Sequence, residues 1–280
     1  MVLRADFLEL EMPELVAYLL RETEQTGESP TNPQTLLDYL NLRFVRVDLE
    51  ALFPGQKKQP RGVLSYADRI VGVDQSLDYP PRARFTIMHE MGHYVLPRHQ
   101  DDLYLCNKGD LSPEAKITAE SEANAFAAEL LFKGDQFTRQ ANDYTITPES
   151  IKVLKQQYDA SFEATARRFV ERNARACGLL VFNRVSGGEM IDPSRPTRWA
   201  TRYFITSVEF CTRYFCQFTG EAPADVIEEL TVPGRDFADD VVRELAVTTL
   251  ANKTHHLRIS FSFNQHNVFG LVQPLPERNK

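Results

Sequence analysis

Residues 89–93 read His-Glu-Met-Gly-His. Imidazoles four positions apart on a helix share one face, one turn from each other, and two so placed can bind a single zinc ion. Glu90 lies one step round, where its carboxylate can hold the water on the metal as general base. Zinc lowers the pKa of that water to about 7, which makes a nucleophile at cytoplasmic pH. Gly92 in mid-helix costs about 1 kcal/mol relative to alanine. A close approach by another backbone, or by substrate, would account for it.

A catalytic zinc takes three protein ligands plus water, so a second helix must supply the third. The segment AESEANAFAAELLF (119–132) offers it. Glu120 and Asn124 are four apart and share a face with Ala123, Ala127 and Leu131. Small alanines there would let two helices pack closely. Asn124 can accept a hydrogen bond from the free ring nitrogen of a ligating histidine and fix its tautomer. Glu122 lies about 200° round from Glu120 and is expected as a solvated helix acid. Cys106, between the two helices, has two readings. Its thiolate could take the open position as an inhibitory fourth ligand, or it is a small thiol without a role.

The surrounding elements must position these residues. Residues 8–22 and 33–43 have amphipathic helical patterns, separated by the loop TGESPTNP. RFVRVDL (43–49) alternates as a strand, and RGVLSYADRIVGVDQ (61–75) reads as a hairpin whose edge could take substrate as an added strand. The His-Glu helix enters through Pro80-Pro81 and stops at Pro97. Residues 98–113 read as a long loop, and a helix follows to about Phe132. Thr147-Pro148 opens a further helix and Ser161 caps its partner. From Cys177 the texture changes: GLLVFNR, LRISFSFNQ and VFGLVQ read as strands, and DFADDVVRELAVTTL (236–250) as a helix. The boundary is placed near Ala176.

The order RGVLSYADRIVGVDQ, RFTIMHEMGHYVL, ESEANAFAAELLF, followed by the helix pair VLKQQYDASFEATARRF, resembles the ImmA/IrrE family of metallopeptidases over roughly residues 10–175. The resemblance implies an α+β fold. A zincin-like, gluzincin-type domain (1–176) would include a helix-turn-helix-like extension (147–176), followed by a smaller α/β GAF-like sensor domain (177–280). It implies one Zn²⁺ on His89, His93 and Glu120, with Glu90 as base. Members of this family cut a helix-turn-helix repressor encoded nearby and so induce a stress, DNA-damage, mobile-element or phage-defence response. Some respond to single-stranded DNA. Here Phe132-Lys133 stands where the family has a proline after the second helix.

Composition sets the outer bounds. The 280 residues carry net charge −7, with 42 % hydrophobic and 25 % charged residues, as in ordinary globular protein. No apolar run of about 18 residues suggests a membrane span, and the N-terminal stretch does not read as a secretory signal. The four cysteines form no CxxC pair, so reduced thiols in a cytoplasm are expected. Basic and aromatic residues interleave at Arg195, Arg198, Trp199, Arg202 and Tyr203. That pattern suits single-stranded DNA or, alternatively, a solvated face over a core. The helix holding Arg167, Arg168, Arg172 and Arg175 has the same two readings. Tyr94, Tyr104 and His99 are candidates for the oxyanion donor. The competing function is a module in which zinc is structural and the chain sequesters its repressor without cutting it.

Overall fold

The computed structural model describes residues 10–55, 60–96, 99, 113–185, 198–214, 218, 220–231, 240–248 and 254–275. Cys106, Tyr104 and Arg195 lie outside the described residues. Those described form ten helices and two sheets, an α+β chain. The chain divides into two compact units. One is Met1–Phe137 with Gln157–Ser161, and the other is Thr138–Gln156 with Phe162–Lys280.

The first unit runs α1 (Met12–Glu22), α2 (Pro33–Tyr39), β1 (Arg43–Val47), α3 (Leu49–Leu52), β2 (Gly62–Ser65), β3 (Ile70–Asp74), α4 (Pro80–Val95) and α5 (Pro113–Leu131), and reaches the start of α6 (Asp135–Asp143). The pattern expected over 33–43 stops early, because Asn41 takes left-handed backbone (φ 53°) and the chain turns into β1. β3 is central and buried, with β1 parallel on one side and β2 antiparallel on the other. β2 is therefore an edge strand, and α4 packs against β2 and β3.

Two prolines open α4, where their missing N–H costs nothing. The helix ends at Val95, and Leu96 is extended, as a residue before proline prefers. Met88 and Met91 of α4 are buried with Ala123, Phe126, Ala127 and Leu130 of α5. The loop after α1 is tied from elsewhere in the unit. The Lys133 ammonium donates to the carbonyls of Gln25 (2.6 Å), Gly27 (2.7 Å) and Ser29 (2.6 Å). Arg84 of α4 donates to the Thr31 carbonyl at 2.6 Å and pairs with Asp159. The Tyr158 ring packs on Phe132 and Phe137, with centroids at 5.7 and 5.1 Å.

The second unit takes up α6 and most of α7 (Pro148–Tyr158), then α8 (Phe162–Glu171), β4 (Gly178–Arg184), β5 (Trp199–Thr206), α9 (Val208–Tyr214), α10 (Ala224–Leu230), β6 (Val241–Thr248), β7 (Thr254–Phe263) and β8 (Asn267–Pro274). All neighbours in its sheet are antiparallel, in the order β5-β4-β8-β7-β6. Leu180, Phe182, Ile259 and Phe261 on one face join Trp199, Phe210 and Val226 in a core. Phe269 alternates to the other face and meets Phe162 of α8 at 4.9 Å.

The helix expected over 236–250 is corrected: residues 241–248 are the strand β6. Val241 and Leu245 are four apart, which suits a helix, but Val241, Val242, Val247 and Thr248 are β-branched and favour extended backbone. β6 lies at a sheet edge with Val242 and Leu245 exposed, so its burial gave no period of two to read.

Candidate metal centre

α4 and α5 pack side by side, and the close contact is at Gly92. A Cβ there would lie 3.2 Å from the Ala123 Cα and 3.1 Å from the Phe126 ring. Glycine opposite alanine lets the helices come this near without a neighbour giving way, and the approach brings Glu120 to the two histidines. His89 Nε2 and His93 Nε2 are 3.1 Å apart. Glu120 places its oxygens 3.4 Å from the first and 3.7 Å from the second. A zinc with bonds of about 2.0–2.1 Å in a tetrahedron needs donors about 3.3 Å apart. Two imidazole nitrogens and a carboxylate at these spacings fit that ion. Among the described residues this is the one group of three such donors drawn together.

The surroundings shift the two histidines in opposite directions. Burial, then the neighbouring charge of His89, holds His93 down to about 4, so its ring is neutral at pH 7. Burial also pulls on His89, but its hydrogen bond to Glu120 and the charges of Glu90 and Glu120 outweigh this and raise it. Its other nitrogen, Nδ1, faces Asn124 Oδ1 at 3.1 Å, which keeps the proton on that side.

Glu90 is only 8 % exposed. Burial pushes its carboxyl up to about 7, with the charge of Glu120 adding to this and that of His89 opposing it. The carboxylate lies over Gly62 of β2, where a Cβ would collide with it and would come within 2.6 Å of the Thr86 methyl. Sequence reasoning did not single out Gly62. Tyr66, in the β2–β3 turn, donates to the His93 carbonyl and stacks on Tyr94 at 5.9 Å, so both rings brace the end of α4.

His99 is fully buried, with both ring nitrogens engaged: Nδ1 faces His93 Nδ1 at 3.0 Å and Nε2 faces Glu122 at 3.0 Å. It has no donor to spare for an oxyanion. Glu122, expected as a solvated helix acid, is instead this partner, its side chain 33 % exposed. Helical spacing turns Glu122 away from Glu120, and that direction leads to His99 rather than to water, which spacing along one helix does not reveal.

The basic–aromatic stretch is strand β5. Trp199 is 4 % exposed and belongs to the core. Arg198 pairs with Glu221, while Arg202 and the Tyr203 hydroxyl both donate to Glu163. Arg168 is buried and Arg167 pairs with Glu171 at 2.8 Å.

A His-Glu-x-x-His helix packed against a second helix that offers a glutamate is an arrangement that metallopeptidases use. Residues 49–170 match the family model Peptidase_M78, the IrrE N-terminal-like domain, and this part of the chain belongs to that family. Eleven chains of known structure match. One is a Mycobacterium tuberculosis transcriptional regulator, 14 % identical, with a TM-score of 0.53 over 96 % of this chain and 92 % of that one. At that identity the likeness is one of fold. None of the curated proteins matches.

Proposed function

We propose that this chain is a cytoplasmic zinc-dependent endopeptidase that cleaves a helix-turn-helix transcriptional repressor and so switches on a stress or defence response. The observation that carries the reading is Glu90, a buried carboxylate raised towards neutrality beside three converging donors. His89, His93 and Glu120 would hold the ion. Bound zinc supplies a Lewis acid for the peptide carbonyl and acidifies water. Glu90 takes the proton from the attacking water and delivers it to the leaving amine. Asn124 keeps His89 in the tautomer that leaves Nε2 bare.

The family of residues 49–170 supports a peptidase tied to transcriptional control, and the relative named a transcriptional regulator points the same way. The functional division is 1–176 for the peptidase with its helix pair and 177–280 for a GAF-like sensor. A five-stranded antiparallel sheet with a helix on one face and a packed core on the other supports that second part. No described helix is long and apolar enough to cross a membrane. Single-stranded DNA as activator draws no support from Trp199, which packs inside. The non-cleaving alternative, zinc as a structural tie, gives no role to a buried base beside the donors.

The test is to incubate the zinc-loaded chain with the adjacent repressor, with and without single-stranded DNA, and to identify fragments by mass spectrometry. Wild type should cut at one site. Glu90→Gln should bind one zinc and cut at least 1000-fold more slowly, on the order expected for loss of a general base. A Glu90→Gln chain that cuts at the wild-type rate, or a wild type that only binds its repressor, overturns the endopeptidase reading.

A further inference from the structure

We propose that His99 and Glu122 are positioning residues for the metal centre, a relay that holds the proton of His93 on Nδ1 and so turns its Nε2 lone pair towards the ion. This deepens the zinc reading above and rests on it.

The polarity of this run of contacts is fixed at one end, by the carboxylate of Glu122. An ionised carboxylate only accepts hydrogen bonds. Glu122 lies 3.0 Å from His99 Nε2, so that nitrogen carries the proton. A neutral imidazole then has a bare Nδ1, which must accept. The group opposite it, at 3.0 Å, is His93 Nδ1. His93 therefore donates from Nδ1, and its Nε2 is left bare. That nitrogen is the one 3.1 Å from His89 Nε2 and 3.7 Å from Glu120. One tautomer of each of these two rings satisfies both contacts of the relay, and the order of donation is Nδ1–H of His93 to His99, then Nε2–H of His99 to Glu122.

Burial makes this arrangement binding on the site. His99 has no exposed surface, so water cannot substitute for either partner. The same helix, α5, thus serves the centre twice. Glu120 faces the donors from one side, and two residues on Glu122 holds the relay from another. The contrast with His89 is instructive. Its partner Asn124 is an amide, which can present either oxygen or nitrogen by turning over. A carboxylate has no such freedom, so the tautomer of His93 is set more firmly.

Two measurements test the relay without cleavage assays. In the long-range proton–nitrogen spectrum of metal-free protein, His93 should be the Nδ1–H tautomer and His99 the Nε2–H tautomer. Zinc affinity, read by competition with a chromophoric chelator, should fall about 10–100-fold in His99→Phe and in Glu122→Leu. Glu122→Gln, which keeps an acceptor oxygen, should stay within a few-fold of wild type. Glu122 is partly exposed, so Glu122→Leu carries the test if His99→Phe does not fold. Folded variants that bind zinc as tightly as wild type, or a His93 protonated on Nε2, overturn the relay while leaving the metal site intact. A wild-type chain that binds no zinc removes both.

Discussion

Glu90 and His93 sit in the same buried patch of α4, and burial moves them in opposite directions. It pushes the carboxyl up to about 7 and the imidazole down to about 4, each towards its neutral form. A consequence follows for the metal-free protein. A group whose folded pKa is raised gives stability below its unfolded pKa, near 4.5, and that stability disappears as pH rises through about 7. His93 has the opposite sign, losing its contribution as pH falls through about 4, but it is common to wild type and Glu90→Gln. In chelator, the melting temperatures of the two proteins should therefore differ least at about pH 4.5 and below. The Gln variant should gain on wild type as pH climbs from about 4.5 to about 7, by at most about 3 kcal/mol, and hold that gain at higher pH. A constant difference from pH 5 to 8 would refute the assigned burial of this carboxyl. The residues that converge here differ in how readable they are. His89, Glu90 and His93 stand in one short string, and helical spacing leads on to Glu120 and Asn124. His99 and Glu122 are not legible that way, because their contact joins a residue beyond the end of α4 to a different helix, and no single-helix period spans it.

The elements around the site do two jobs, one of approach and one of support. Gly92 against Ala123 sets how near α4 and α5 can come, and Gly62 on β2 leaves room for the Glu90 carboxylate. Gly62→Ala separates these jobs. The new methyl would press on two side chains of α4, the Glu90 carboxylate and the Thr86 methyl, and on no backbone atom among its nearest contacts, so fold and zinc binding should persist. The base would shift, and a misplacement of about 1 Å can cost on the order of 100-fold in rate. Unchanged kcat on the repressor would show that Glu90 is not held where Gly62 meets it. Strands were less legible than helices. β1, β2 and β3 declare themselves by alternation and a polar turn, whereas β6 was read as a helix because this edge strand buries Val241 but leaves Val242 and Leu245 exposed and shows little of its pleat. β5 carries arginines on a strand whose tryptophan belongs to the core, so its composition suggested a binding surface more strongly than a sheet.

At the scale of the whole molecule, chain order and compact units do not coincide. Gln157–Ser161 belongs with the first unit although the residues on both sides of it belong with the second. Tyr158 fills the space beside Phe132 and Phe137, and Asp159 meets Arg84 on the helix that carries the two histidines. No local pattern announces such a return, since it depends on aromatic packing between segments about twenty residues apart. Lys133 does similar work for the loop after α1, with three carbonyls turned on one ammonium. Lys133→Ala should cost about 3 kcal/mol, since charge-assisted hydrogen bonds in a buried setting are lost together. Those carbonyls would still converge, now around a hollow of the length of a butyl chain. The loop is in effect a small host whose guest is tethered to the protein. Adding a short primary alkylamine to the Lys133→Ala chain should therefore restore part of its melting temperature, while a quaternary amine of the same size, with no N–H to give, should not.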